Sequence, residues 1–314
     1  MNIAIIGTGA IGCLFGGMLR EGGLDVILIG RNEQTVAAIT RQRGVKIEDA
    51  RGTRLVEVSA TLDHRFVERA DLVLLAVKAY DTREALTGIK GMLEAETPLL
   101  TLQNGLGNIE IADEVLGAGR LLAGTTSHGA NVVAPGHVRH AGEGETLIGE
   151  TSGAVSERAQ RIALSLTAAG LSTEAVRHIA GYVWLKVIVN AVINPLTALL
   201  RAKNGALLRI PELSAIMRGI AEEGVLTAQA CGVRLPCDNP YAKAVDVCGA
   251  TSENFSSMLQ DVLLKRRTEI DQINGAIAAR AAEAGLAAVY NRALHALVKS
   301  LDALQGQPGE KKVP

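Results

Sequence analysis

The sequence predicts an α/β protein in which an N-terminal, doubly wound sheet precedes a C-terminal all-helical domain. In the first half of the 314-residue chain, short apolar runs alternate with segments of helical period, which is typical of βαβ units in a parallel sheet. A glycine-rich loop joins the first apolar run to the first helical segment. From about residue 177 onward, strand patterns give way to long Ala/Leu/Ile-rich helical patterns.

The elements follow from these patterns in order, and they divide the chain into domains 1–175 and 176–305. Residues 306–314 carry Gly, Pro and Lys and are predicted to be a disordered tail. The predicted strands are 3–6, 25–29, 72–77 and 98–102, with a helix over 10–21, a hairpin over 45–59 that turns at Gly52, and further strands over 121–149 that close the first domain. The predicted helices of the second half are 178–201, 211–231, 254–284 and 288–304.

Composition narrows the class of protein. Hydrophobic residues make up 48% and charged residues 21% of the chain, and the net charge of -1 gives no sign of a nucleic-acid or membrane-surface partner. The four cysteines show neither zinc-ligand nor disulfide spacing, so we expect no metal site and a reduced, cytoplasmic location. The apolar stretch 184–200 contains a lysine, two asparagines and a proline, and is a poor candidate for a membrane span.

The glycine-rich loop is the first candidate site. Its first glycine permits a tight turn, its second lets the backbone approach a pyrophosphate, and its third lets the helix pack on the strand. The free N–H groups at the helix start attract phosphates. The alternative is a tight turn without a ligand, but the strand–loop–helix context favours a Rossmann-type dinucleotide site. The loop consists of Gly7, Thr8, Gly9, Ala10, Ile11 and Gly12.

The end of the second predicted strand indicates which dinucleotide binds. NAD enzymes usually place an acidic residue there to bind the ribose 2′-hydroxyl, but this chain has Arg31 instead. The guanidinium of Arg31 can pair with a 2′-phosphate, which favours NADPH. The alternative is a surface arginine that begins the next helix.

Two later strand ends also carry polar groups. Lys78 follows one predicted strand, and Asn104 with Gly105 follows the next. Ligands of open α/β sheets bind at this carboxyl edge. The alternatives are a surface lysine at a helix start and a simple Asn-Gly turn.

A polar stripe marks the apolar stretch near residue 190. Lys186, Asn190 and Asn194 recur every four residues, so they share one face of a helix. The residues between them are almost all apolar, which predicts a largely buried helix whose stripe faces partners or a ligand rather than open solvent. Pro195 should end or kink the helix. Partial burial would lower the pKa of Lys186 and make it suitable as a proton donor to a carbonyl.

Two polar segments follow, at 252–258 and 267–275. Ser256 and Ser257 are candidates for a helix cap, and Glu269 for a solvated helix residue, so neither segment points to function by itself.

At this point the chain resembles the ketopantoate reductases (2-dehydropantoate 2-reductases). The resemblance runs through nearly the whole chain, and its most specific parts are the Lys186 helix and the last two segments. The matching segments are 7–12, 77–79, 103–107, 125–128, 184–198, 204–205, 253–261 and 268–275.

The resemblance implies NADPH-dependent reduction of 2-dehydropantoate to (R)-pantoate in the cleft between a Rossmann domain and a helical domain. It implies that Lys186 is the general acid and that Glu269 belongs to the catalytic and cofactor-binding set. Further implied roles are substrate-hydroxyl contacts for Asn190, Asn194 and Asn204, a carboxylate contact for Ser257, a place between nicotinamide and substrate for Asn104, cofactor contacts for Lys78 and the backbone of Ala130, and a 2′-phosphate contact for Arg31.

The chain departs from the family pattern before Asn204, and two alternative functions stay open. Arg201 and Lys203 bring more positive charge before Asn204 than the family pattern suggests. The alternative functions are a related reductase of another branched or hydroxylated 2-keto acid and a non-catalytic dinucleotide sensor, although a sensor would not need a proton donor facing amides. A homodimer formed through the helical domain is left open.

Overall fold

The computed structural model describes residues 1–94 and 96–305, so the predicted tail at 306–314 lies outside the described residues. The chain divides into two compact units. The first comprises Met1–Gln103 and Gly107–Tyr182, and the second comprises Asn104–Leu106 and the chain from Val183 onward. The predicted boundary at 175/176 falls just before this division, whereas no local pattern indicated that Asn104–Leu106 would group with the second unit.

The first unit contains twelve strands and five α-helices among its described residues. In chain order these are β1 (Asn2–Ile6), α1 (Ala10–Glu21), β2 (Asp25–Ile29), α2 (Glu33–Gln42), β3 (Val45–Asp49), β4 (Gly52–Val56), β5 (Ser59–Thr61), β6 (Leu72–Leu75), α3 (Thr82–Ile89), β7 (Leu99–Thr101), α4 (Asn108–Leu116), β8 (Leu121–Thr126), β9 (Gly129–Ala134), β10 (His137–Gly142), β11 (Thr146–Glu150), α5 (Glu157–Ala168) and β12 (Thr173–Ala175).

The main sheet has eight strands in the order β12-β11-β8-β7-β6-β1-β2-β5, and every neighbouring pair is parallel except β8 with β11. Successive side chains of the central strand β1 point to opposite faces. Ile3 and Ile5 enter the core that contains α1, whereas Ala4 and Ile6 enter the core that contains α3 and α4. Both faces of the sheet are therefore covered, which confirms the predicted doubly wound architecture.

A second, four-stranded sheet has the order β4-β3-β10-β9. The predicted hairpin is present as β3 and β4, but it pairs with β10 instead of joining the main sheet. Of the strands predicted over 121–149, β8 and β11 extend the main sheet, while β9 and β10 belong to the second sheet. A Cβ on Gly17 of α1 would lie 2.5 Å from the Ile47 side chain, so this glycine allows α1 to pack closely on the second sheet.

The second unit is helical. The predictions 178–201, 211–231 and 288–304 each agree with one observed helix to within two residues, but a single helix over 254–284 is wrong. That segment forms two helices, because the chain turns at Lys265 with a φ of 52° and leaves 264–273 irregular. The helix at 240–250 was not predicted. The helices are α6 (Ile179–Leu200), α7 (Leu213–Ala230), α8 (Pro240–Ala250), α9 (Ser257–Leu263), α10 (Asn274–Glu283) and α11 (Val289–Gln305).

Helix α6 begins in the last four residues of the first unit and, from Val183 onward, is the core helix of the second unit. It continues past Pro195 to Leu200, so Pro195 does not end the helix, and the kink expected as the alternative stays a prediction. Within the described part of the chain, α6 is the helix with the length and apolarity to cross a membrane, and 67% of its most apolar window is buried in the protein. This burial is typical of the core helix of a globular unit.

Candidate active site

The glycine loop in the first unit contains two kinds of glycine, crowded and open. Gly7 has a φ of 120°, and a Cβ on it would lie 2.7 Å from the backbone of Ala76. A Cβ on Gly12 would lie 1.9 Å from the carbonyl oxygen of Gly7. Among the described residues, by contrast, a Cβ on Gly9 would have no atom within 4 Å, and no side chain caps the start of α1 there. Gly7 and Gly12 therefore serve the turn and its packing, while Gly9 leaves the open backbone surface that a pyrophosphate requires.

Arg31 lies two residues after β2, at the predicted edge of the main sheet. Its guanidinium donates to Asp81 Oδ2 at 2.7 Å and to Glu84 Oε2 at 3.0 Å, two partners that local pattern did not predict. The side chain remains 60% exposed. A guanidinium has five donors, so Arg31 keeps donors for a phosphate, although the two carboxylates oppose a second anion nearby.

The ends of β6 and β7 are joined by Gln103. Its Nε2 donates to the Val77 carbonyl at 2.9 Å and to the Thr82 hydroxyl at 2.8 Å. These bonds hold the backbone just before Lys78, which precedes a short 3-10 turn over Ala79–Asp81. Lys78 is thus placed at the carboxyl edge of the sheet, as predicted.

Ala130 lies in β9 opposite His140 of β10. Next to it, His128 Nδ1 lies 3.0 Å from His140 Nε2, and the His128 ring packs edge-on against Phe15. Burial, together with the neighbouring His140, lowers the pKa of His128 to about 4, so His128 is neutral at pH 7. The sequence motif contained His128, but nothing in its spacing indicated a histidine pair.

In the second unit, Lys186 and Glu269 are electrostatic neighbours. Burial lowers the pKa of Lys186 to about 8, and the carboxylate of Glu269 offsets part of this shift. Glu269 is buried, with 5% of its surface exposed, so the alternative of a solvated helix residue is wrong. A lysine with a pKa near 8 can hold a proton at neutral pH and release it readily.

The amide stripe of α6 meets the start of α9. Asn194 is buried, and its Nδ2 lies 3.5 Å from the Ser257 hydroxyl, while Asn190 is half-buried one turn earlier. Ser256 is the cap of α9, since its hydroxyl accepts the Leu259 N–H at 3.1 Å. Ser257 is therefore not needed as the cap, and it lies exposed beside Asn194.

Thr197 joins the same two helices. Its hydroxyl is fully buried, 2.7 Å from Ser256 Oγ and 2.9 Å from the Asn194 carbonyl. Sequence reasoning missed Thr197 because a threonine in an apolar helix usually bonds only within that helix.

Asn204 packs against the segment before α9. Its Nδ2 donates to the Thr251 hydroxyl at 2.9 Å, and its backbone N–H donates to the Asn254 carbonyl at 3.0 Å. Its Oδ1 is buried, and no hydrogen-bond donor for it occurs in the described parts of the chain. Lys203 pairs with Glu253 at 2.7 Å, which neutralises part of the charge noted before Asn204.

Asn104 belongs to the second unit through its neighbours. The Leu106 N–H donates to the Gln272 carbonyl at 2.8 Å. Gly105 has a φ of 87°, and a Cβ on it would lie 2.6 Å from the Gln272 side chain. This close approach places Asn104 beside the irregular segment that carries Glu269.

The irregular segment 264–273 is held by its own polar residues. Thr268 donates its hydroxyl to Asp302 at 2.7 Å. Asp271 accepts from Arg267, His295 and Lys299, and these hydrogen bonds lower the pKa of its carboxyl to about 2 against the opposing effect of burial. These contacts account for the motif around Glu269, which local pattern had assigned to a helix.

The fold and the glycine loop define a dinucleotide-binding α/β protein with a helical second unit. A family model described as ketopantoate reductase PanE/ApbA matches residues 3–153, and the model of its C-terminal part matches residues 178–302. The chain belongs to the ketopantoate reductase family.

Known proteins resemble the chain along almost its full length. The 2-dehydropantoate 2-reductase of Archaeoglobus fulgidus is 37% identical over 96% of this chain and 98% of that protein. A crystal structure of a PanE/ApbA family ketopantoate reductase from Ralstonia eutropha has a TM-score of 0.89 at 36% identity, covering 98% of this chain and 100% of that one. D-mandelate dehydrogenase in its ternary structure with NADH and anilino(oxo)acetate has a TM-score of 0.90 at 26% identity, with the same coverage.

The link between α6 and α9 can be tested by replacing Thr197 with valine. We expect the free energy of unfolding to fall by about 1–2 kcal/mol, because Ser256 loses a buried hydrogen-bond partner. Urea unfolding measures this change. Thr227→Val is the matched control, since the Thr227 hydroxyl is also buried but bonds to the Glu223 carbonyl within α7. Equal losses in the two variants would contradict a specific role for Thr197.

Proposed function

We propose that the chain reduces 2-dehydropantoate to (R)-pantoate with NADPH, as a cytoplasmic step toward pantothenate and coenzyme A. The observation that carries the proposal is Lys186, a lysine with a pKa of about 8 on a helix face that also bears Asn190 and Asn194. A 2-keto acid reduction needs a proton donor for the carbonyl oxygen and a grip on the rest of the substrate. The second unit has residues for both tasks.

Six polar residues of the second unit have a proposed task. Lys186 holds a proton on Nζ and donates it to the substrate carbonyl oxygen, while Glu269 keeps the ammonium form favoured. Asn190, Asn194 and Asn204 bind the substrate hydroxyl, and Ser257 donates to the carboxylate. Amides bind a neutral hydroxyl well, and an acid that lacked the hydroxyl would lose these hydrogen bonds.

The residues of the first unit fit a dinucleotide. The open surface at Gly9 and the uncapped start of α1 suit a pyrophosphate, and Arg31 suits a 2′-phosphate. When bound, NADPH supplies the hydride. We assign further cofactor contacts to Lys78, Ala130, Asn104 and Glu269 on the family resemblance, and we assign cofactor binding to domain 1–175 and substrate binding to domain 176–305.

A second candidate is a reductase of another 2-keto acid. The structural similarity to D-mandelate dehydrogenase favours this alternative, because that enzyme carries an aromatic ligand on the same fold. The 37% identity to the 2-dehydropantoate 2-reductase of Archaeoglobus fulgidus favours 2-dehydropantoate instead.

A panel of 2-keto acids with NADPH or NADH tests the proposal. We expect the highest kcat/KM with 2-dehydropantoate and NADPH. The rate is measured from the loss of nicotinamide absorbance.

Arg31→Ala should lower kcat/KM for NADPH by about 10- to 100-fold, because it removes charge-assisted bonds to the 2′-phosphate, and leave NADH turnover unchanged. Arg83→Ala, another exposed arginine in an ion pair, is the control. A preference for NADH would refute the 2′-phosphate contact of Arg31. A preference for an acid without a hydroxyl would refute 2-dehydropantoate as the substrate.

The two kinds of loop glycine give a matched pair of variants. Gly9→Ala should leave the free energy of unfolding within about 0.5 kcal/mol of the original, since its φ of -79° suits alanine and the space is open. It should weaken NADPH binding by about 10- to 100-fold, because the methyl group occupies the place of the pyrophosphate. Gly12→Ala should instead lower stability by about 1–3 kcal/mol. Fluorescence titration and urea unfolding measure the two effects, and NADPH binding unchanged in Gly9→Ala would argue against this site.

The pKa of Lys186 predicts the pH profile of the reduction. As the general acid, Lys186 must be protonated, so kcat/KM should be constant below about pH 8 and fall about tenfold per pH unit above it. Lys186→Ala should lower kcat/KM by about 10²- to 10⁴-fold. Lys186→Arg stays protonated, so its remaining activity should show no such fall. Steady-state rates from pH 6 to about 10 test this, with exposed Lys243→Ala as the control that keeps the original profile.

A further inference from the structure

Helix α6 contains a gap in its backbone hydrogen bonding. Pro195 lies inside the helix and has no N–H to donate to the carbonyl four residues earlier. That carbonyl belongs to Ala191, which is fully buried. A buried carbonyl without a donor costs free energy, so a donor from elsewhere is expected.

Asn274, the first residue of α10, supplies this donor. Its Nδ2 lies 3.1 Å from the Ala191 carbonyl oxygen, and the Asn274 side chain is fully buried. The orientation of the amide is defined, because a carbonyl only accepts and must therefore face the nitrogen. Asn274 is 83 residues away in the sequence, so no local pattern reveals the contact.

The Asn274 amide is itself held in place. The same Nδ2 donates to Asn291 Oδ1 at 3.0 Å. Asn291 in turn donates to the Ile220 carbonyl at 3.2 Å and to Glu223 Oε2 at 2.8 Å. The Glu223 carboxylate also accepts the backbone N–H groups of Tyr290 and Asn291 at the start of α11. Buried amides and one carboxylate thus connect α6 to α7, α10 and α11.

The position of Ala191 links this hydrogen-bond network to the amides of α6. Ala191 follows Asn190 directly and precedes Asn194 by three residues, so the Asn274 bond is made in the turn that separates the two stripe amides. We propose that Asn274 is a positioning residue that sets the spacing and direction of Asn190 and Asn194 for the substrate hydroxyl. The inference rests on the proposed function for those two amides.

The test uses Asn274→Ala with and without Pro195→Ala. Pro195→Ala restores the N–H that the Ala191 carbonyl lacks, so it replaces the donor that Asn274 provides. We expect Asn274→Ala alone to lower kcat/KM for 2-dehydropantoate by about 10- to 100-fold, mostly through KM, since small misplacements of binding groups have effects of this size. Its preference for the hydroxylated acid over an acid without the hydroxyl should shrink as well.

The double variant decides the question. Pro195→Ala alone and the double variant should agree in kcat/KM to within about threefold, because residues that share a partner are coupled. Thr227→Val is the control, because it also removes a buried polar group of the second unit, one that bonds to the Glu223 carbonyl within α7 and does not contact Asn274, so its KM should stay near the original. A loss in Asn274→Ala that Pro195→Ala does not rescue, or an equal rise in KM in Thr227→Val, would overturn the proposal.

Folding of the variants is also informative. If Asn274→Ala is insoluble and the double variant is soluble, the shared carbonyl is supported, and if neither folds, the proposal is overturned. Should the original protein fail to reduce 2-dehydropantoate, the proposed function fails separately. Urea unfolding midpoints of the four combinations would then show whether Pro195 and Asn274 are coupled, and additive shifts would contradict a shared partner.

Discussion

A largely buried helix that carries polar side chains must have partners for each of them, and the second unit is organised around this requirement. Helix α6 presents Lys186, Asn190 and Asn194 from an apolar background, where an unpaired polar group would cost about 1–3 kcal/mol. The Glu269 carboxylate favours the charged form of Lys186, and the Ser257 hydroxyl lies beside the Asn194 amide. Burial in the unit lowers the pKa of Lys186 to about 8, and the Glu269 carboxylate offsets part of that shift.

The irregular segments of the second unit follow from the same requirement. The chain leaves helical geometry at Lys265 and returns to it at Asn274, and between them Glu269 is buried while Thr268 and Asp271 bond to side chains of α11. In a continuous helix, Thr268 and Asp271 would share one face, and Glu269 would point about 100° away from Thr268. The turn instead directs each toward its partner, at the cost of the regular backbone bonds of two or three helical turns.

The glycine loop depends on shape rather than on charge. Gly7 and Gly12 are needed because any side chain would meet backbone atoms, whereas a side chain at Gly9 would meet only open space. A turn defined by sterics is largely encoded locally, so its sequence can be interpreted without knowing the rest of the protein. Arg31 differs, since its two carboxylate partners come from residues about 50 positions later.

The sequence by itself determined β1, α1 and β2 almost to the residue, the identity of the dinucleotide loop and the polar stripe of α6, because period and glycine sterics act over a few residues. Only the tertiary structure decided that the 254–284 helix breaks, that β3 and β4 join a second sheet, and that Asn274 completes α6. These features depend on partners that are distant in the chain. A buried donor is assigned by what lies across from it, and sequence spacing does not contain that information.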